Sequence, residues 1–141
     1  MARKLYETEE HLKAEKYVAE YISRKWSVEM VKLPISQKID YAMMRRDKVT
    51  ALLEIKCRKF VWGEWPDIML SLSKIKYAQE IYNLFEIKTF FAVCDVRKTI
   101  KYTPLYDLKY NVGFGGRKSD PRDNQDSELI MDISVYDFTE I

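Results

Sequence analysis

Residues Ile39–Arg58 read IDYAMMRRDKVTALLEIKCR, two runs rich in β-forming residues on either side of the charged triplet Arg46-Asp47-Lys48. The pattern predicts a hairpin, with one strand over Ile39–Arg46 and its partner over Val49–Arg58. Alternation along the second strand puts Thr50, Leu52, Glu54, Lys56 and Arg58 on one face, and Ala51, Leu53, Ile55 and Cys57 on the other. Glu54 sits inside the apolar stretch ALLEI, where an ionised carboxylate needs a counter-charge or a metal. Asp40, on the preceding strand, is the second acid within reach. A three-residue connection or a bulge brings position 40 opposite 54. A plain two-residue turn pairs Asp40 with Ile55 and sends the two acids to opposite faces. The sequence leaves both registers open.

Working outward, Thr8 to Trp26 carries apolar residues at helical spacing (Leu12, Val18, Ala19, Ile22, Trp26), with Thr8 as a candidate cap. At about 100° per residue, Glu15 falls inside the apolar arc of this helix, and His11 shares the arc. Val28 to Ile35 then alternates and predicts a strand. Phe60 to Pro66 breaks the pattern, and Ser71 or Ser73 caps a second helix reaching about Ile87. Lys74 lies on the apolar arc of that helix with Ile75, Ala78, Ile81, Tyr82 and Phe85. Lys88–Val96 is a buried strand, Ile100–Leu105 a short one, and Leu129–Phe138 the last. Between them, residues 111–127 hold three of the four glycines together with Arg117, Lys118 and Arg122, and read as a mobile Gly/Arg-rich loop of a single domain spanning 1–141. The order of elements predicts an α/β domain with a central mixed sheet flanked by helices.

Composition narrows the chemistry. With 141 residues and 47% apolar content the chain can build a core without cross-links. A net charge of +2 exerts little long-range pull on nucleic acid, so phosphate contacts must come from local clusters. Arg45, Arg46, Lys48, Arg58 and Lys59 form the densest of these. Two cysteines, Cys57 and Cys94, supply no disulfide framework, which points to a reducing cytosol. A single histidine and no cysteine cluster argue against zinc and leave a hard, oxygen-seeking cation, Mg²⁺ or Mn²⁺. No apolar run approaches the roughly 18 residues of a membrane span. A soluble, cytoplasmic protein is expected.

Two carboxylates beside an ammonium suit phosphodiester hydrolysis: the acids and the Ile55 carbonyl would hold the cation, the cation would acidify a water, and Lys56 would orient it or steady the developing charge. The bland alternative is a cross-strand salt bridge on a solvated sheet face. Trp62 and Trp65 also admit two readings, closing the core or stacking on unpaired bases.

An acid on one strand followed by E-x-K on the next, in a hairpin bracketed by helices, resembles the core of the PD-(D/E)XK nuclease superfamily, over roughly Thr8 to Val96. The resemblance implies the restriction-endonuclease-like αβββαβ core and a Mg²⁺- or Mn²⁺-dependent deoxyribonuclease. Asp40 and Glu54 become metal ligands, Lys56 the catalytic lysine, and Glu15 the helix glutamate that touches the metal or its water. Ile39 stands where the motif has Pro. Lys74, Arg58, Lys59, Arg117 and Arg122 are candidate DNA contacts, while Gln79 and Tyr82 resemble the Gln and Tyr of exonuclease-like members at a spacing one residue short. DNA is the implied partner, a homodimer would let so short a chain read a palindrome, and nucleases of this compact type are common in phages and would act in the host cytoplasm. Two alternatives accompany this reading: a Holliday-junction or branched-DNA resolvase of the same fold, and a catalytically inactive copy that only binds DNA or protein.

Overall fold

The protein is described by a computed structural model covering residues 9–34, 37–106, 111–116 and 127–141. The elements are α1 (Glu9–Trp26), β1 (Glu29–Lys32), β2 (Tyr41–Arg45), β3 (Lys48–Cys57), β4 (Asp67–Ser71), α2 (Leu72–Phe85), β5 (Lys88–Cys94), β6 (Ile100–Pro104), β7 (Asn111–Gly116), β8 (Ser127–Ser134), a 3-10 turn at Val135–Asp137, and β9 (Thr139–Glu140).

Six strands form the main sheet in the order β1-β2-β3-β5-β6-β9. Only β3 and β5 run parallel; the other pairs are antiparallel, so the sheet is mixed as expected. The crossover from β3 to β5 passes through β4 and α2. On one side of the sheet, Val18, Ala19 and Ile22 of α1 pack against Ala51, Leu53 and Ile55 of β3 and Ala92 of β5. On the other, Ile75 and Ala78 of α2 join Phe91 and Val93 of β5 and Ile68, Leu70, Met131 and Ile133 from a second sheet. The alternation read from Val49 to Arg58 therefore sorts β3 into an α1 face and an α2 face.

That second sheet, β4-β8-β7, differs from the sequence expectation in two places. Asp67–Ser71 is a strand, hidden in the sequence because it runs straight into α2 with no Gly or Pro to mark the boundary. Asn111–Gly116, read as part of a glycine-rich loop, forms β7 and pairs with β8 from Asn111↔Asp132 to Gly116↔Ser127. Here pairing with β8 overrides low intrinsic β-propensity. Residues 117–126 of that loop lie outside the described residues.

The hairpin resolves the register question in an unexpected way. Its turn has two residues, Arg46 and Asp47, both at positive φ (51° and 62°), as in a type I′ turn. Alone, that turn would have separated the acids. A bulge between Met43 and Met44 shifts the pairing from Met44↔Val49 to Met43↔Ala51, which restores Tyr41↔Leu53 and carries Asp40 to the level of Glu54. The extra residue is Thr50, whose hydroxyl donates to the Met43 carbonyl at 3.2 Å.

Candidate active site

Glu54 lies in the middle of the main sheet on the α2 face, with 4% of its surface exposed. It forms an ion pair through Oε2 with Lys74, in the first turn of α2. A cation there opposes the helix dipole, and Glu54 offsets the mismatch. The second oxygen, Oε1, is buried with no hydrogen-bond partner. Burial pushes the Glu54 carboxyl up to about 8; Lys74 pulls it down, and the neighbouring Asp40 carboxylate pushes it up further. Asp40 is fixed from below, its Oδ2 accepting the Ile55 amide at 2.8 Å. The Ile55 amide thus fixes Asp40 in place.

Glu15, expected on the buried arc of α1, is 8% exposed. Its partner is a residue that the sequence reading passed over. Lys32, the last residue of β1, donates to Glu15 Oε1 at 2.7 Å, stands 3.8 Å from Asp40 Oδ1, and lies 5.1 Å from the Tyr41 ring centroid. One ammonium therefore joins the α1 acid to the hairpin acid. The signal was available in principle: β1 is the edge strand next to β2, and the Lys32↔Tyr41 pairing places it one residue from Asp40. Without the register, Lys32 was one lysine among many.

Lys56, two residues beyond Glu54 on the same face, donates to the carbonyl of Met69 in β4. The second sheet therefore orients the lysine that the main sheet presents. Arg58 and Lys59 are exposed just past the end of β3. They do not cluster with Arg45, Arg46 and Lys48, because ten residues of strand, about 33 Å, separate Lys48 from Arg58. Instead Arg45 donates to the Trp26 carbonyl at 2.5 Å and closes the C-terminal end of α1.

The remaining candidates scatter. His11 is exposed on α1, one turn before Glu15. Gln79 is half-buried on α2, and Tyr82, eight residues or about 12 Å along the helix from Lys74, stacks on Tyr106 with centroids 4.6 Å apart. Arg117 and Arg122 lie outside the described residues.

Among the described residues no three His, Cys, Asp or Glu side chains gather into a ligand cluster. The acid pair nonetheless fits a hard cation: two carboxylates at one level of a hairpin, one with a buried, unsatisfied oxygen, are an incomplete oxygen shell. Asp40, Glu54 and Lys56 thus lie on paired strands, with Glu15 joined to Asp40 through Lys32.

Comparison with known proteins gives the family and the fold. The chain belongs to the family described as "Phage putative PDDEXK endonuclease", which it matches over residues 1–141, and it is a nuclease of that fold. Among solved structures it is similar to Hjc, a Holliday junction resolvase from the archaeal hyperthermophile Archaeoglobus fulgidus, with 15% identity, a TM-score of 0.54 and 92% of each chain covered. That likeness concerns the fold. A search of curated protein sequences gave no match.

Proposed function

We propose that the protein is a Mg²⁺- or Mn²⁺-dependent deoxyribonuclease, with Asp40 and Glu54 as metal ligands, the Ile55 main chain as a third oxygen donor, and Lys56 as the catalytic lysine. The observation that carries this reading is the buried, unpartnered oxygen of Glu54 next to Asp40. A divalent cation bound there would supply Lewis acidity toward the phosphate and a water made nucleophilic at neutral pH. The chain's own groups do the rest. Lys56, held by the Met69 carbonyl, presents an ammonium to the charge that develops on the phosphate. Lys74, half-buried beside Glu54, is the nearest cation for the scissile phosphate. Glu15 and Lys32 keep the Asp40 side of the site in place. Arg58 and Lys59 contact the backbone beyond the cut, with Arg117 and Arg122 as further phosphate contacts.

The proposed setting is the cytoplasm of a phage host; no helix among the described residues is long and apolar enough to cross a membrane. A two-fold dimer would suit palindromic or branched DNA, and light scattering on the purified protein tests that assembly.

The function is tested by incubating wild type, Glu54→Ala and Lys56→Ala with supercoiled, linear and four-way-junction DNA in Mg²⁺ or Mn²⁺. Cleavage by wild type and none by either variant supports the proposal, and cutting confined to the junction turns it into a resolvase. Binding without cleavage in every condition replaces it with an inactive binding module.

A further inference from the structure

Beyond the end of β3 the chain forms a cavity of about 460 Å³ that the cleavage chemistry does not use. Its walls include Trp62, Glu64, Trp65, Pro66, Lys101 and Tyr136. The frame is rigid. The Trp62 amide donates to Asp95 Oδ2 at 3.1 Å, its indole N–H donates to the Thr99 carbonyl at 3.0 Å, and the Val96 amide donates to the Phe60 carbonyl at 3.0 Å. Gly63 makes the bend at φ +99°, a conformation that residues with a Cβ rarely adopt. Asp95, 5% exposed, fastens this loop through Oδ2 and holds its own turn through Oδ1, which accepts from the Arg97 and Thr99 amides.

Within that frame two aromatic rings are left uncovered. Trp65 stacks on the buried Phe60 with centroids 4.9 Å apart and planes 6° from parallel, yet it remains 44% exposed. The indole is thus supported by Phe60 while nearly half of the residue's surface stays open to solvent. Tyr136, in the 3-10 turn, is 94% exposed. Lys101 adds a cation 5.1 Å from the Trp62 centroid. An open indole on an aromatic base, a second exposed ring and an ammonium make a stacking platform with a phosphate contact.

The position of the cavity favours a nucleic-acid strand as occupant. Met69, which accepts from Lys56, is four residues from Trp65, so their Cα atoms are at most about 14 Å apart. That span equals about four phosphates of a stacked strand. Arg58 and Lys59, both exposed, follow Lys56 in the chain and lead to Phe60, giving a cationic track between the site and the platform. Glu64 is the acid on the rim, able to accept from a base amino group and unfavourable to a phosphate.

We propose that this cavity binds an unpaired nucleobase of the substrate strand, stacked on Trp65 and Tyr136, a few nucleotides from the cut. The idea rests on the nuclease reading of Asp40 and Glu54, and it narrows the substrate to DNA with a single-stranded or splayed segment. In a duplex the bases are already stacked on one another and cannot enter.

The test is binding without cleavage. Wild type, Trp65→Ala and Tyr136→Ala are titrated, in chelator, against a labelled oligothymidylate and against a blunt duplex of equal length, with anisotropy as the readout. Each substitution is expected to weaken oligothymidylate binding about tenfold and to leave duplex binding unchanged. Equal affinity of wild type and Tyr136→Ala for oligothymidylate overturns the proposal, and so does a parallel loss for both ligands. Tyr136 is too exposed for its removal to unfold the chain, so the answer stands even if Trp65→Ala misfolds. A proline-rich peptide that binds the cavity while oligothymidylate does not would also overturn it, in favour of a peptide site. Because the readout needs no cleavage, an enzyme that cuts nothing would sink the nuclease reading alone.

Discussion

The two faces of β3 have the same backbone and opposite purposes. Toward α1 it presents Ala51, Leu53 and Ile55, which disappear into an aliphatic layer with Val18, Ala19 and Ile22. Toward α2 it presents Leu52, then Glu54 and Lys56: a buried carboxylate with an unsatisfied oxygen, followed by a half-buried lysine whose ammonium is bonded to a main-chain carbonyl. The first face follows the rule that apolar atoms leave water. The second breaks it at a cost that an apolar residue would avoid. That cost, met beside a second acid brought level by a bulge, is the ground on which we propose the α2 face as the working one.

Substitutions one residue apart should therefore separate. Glu54→Gln keeps the shape and removes the charge, and is expected to lower the cleavage rate by at least about a thousandfold while the protein melts no lower than wild type. Leu53→Ala is expected to do the reverse. It should cost about 2–5 kcal/mol of unfolding free energy in urea titrations, while the rate per folded molecule changes little. Similar activity loss in both would erase the contrast between the faces.

Lys32 refines the comparison, because its ammonium ties an acid on the α1 side to Asp40 on the hairpin. Lys32→Met should weaken metal-dependent activity by roughly 10- to 100-fold, the usual effect of removing a group that orients a ligand. The loss should appear as a higher metal concentration at half-activity, with Lys32→Arg recovering part of it. An unchanged metal dependence would reduce Lys32 to a surface contact.

A further effect is on the pH dependence of stability. The Glu54 carboxyl is raised to about 8 by burial, so the folded protein holds a proton that the unfolded chain gives up near 4.5. The contribution is fully present below pH 4.5 and is lost as pH rises through 8. In chelator, wild type should lose stability across that window by at most about 1.4 kcal/mol per pH unit relative to Glu54→Gln. Parallel pH profiles for the two proteins would mean that Glu54 is not buried as described.

How much of this was readable beforehand follows from which interactions are local. The faces of β3 and the buried arc of α1, including Glu15, come from periodicity alone, and both were legible. The alignment of Asp40 with Glu54 was not, because it depends on two opposing details, a two-residue turn and a one-residue bulge at Thr50. β4 escaped notice because it flows into α2, and β7 because its glycines pair only when β8 is present. Lys32 was invisible for a related reason: its importance arises from a long-range register. The basic residues illustrate the converse error, since Arg45, Arg46 and Lys48 are close to Arg58 and Lys59 in sequence but sit at the other end of the strand.

The proposed nuclease chemistry requires Asp40 and Glu54 to act as a single cation site. Titrating Mn²⁺ into wild type, Asp40→Asn and Glu54→Gln, with the free-ion signal followed by electron paramagnetic resonance, addresses this without any substrate. Wild type should deplete the free ion, and each variant should lose that uptake. If both variants take up Mn²⁺ as wild type does, the two acids are not the ligands and the site has been drawn in the wrong place.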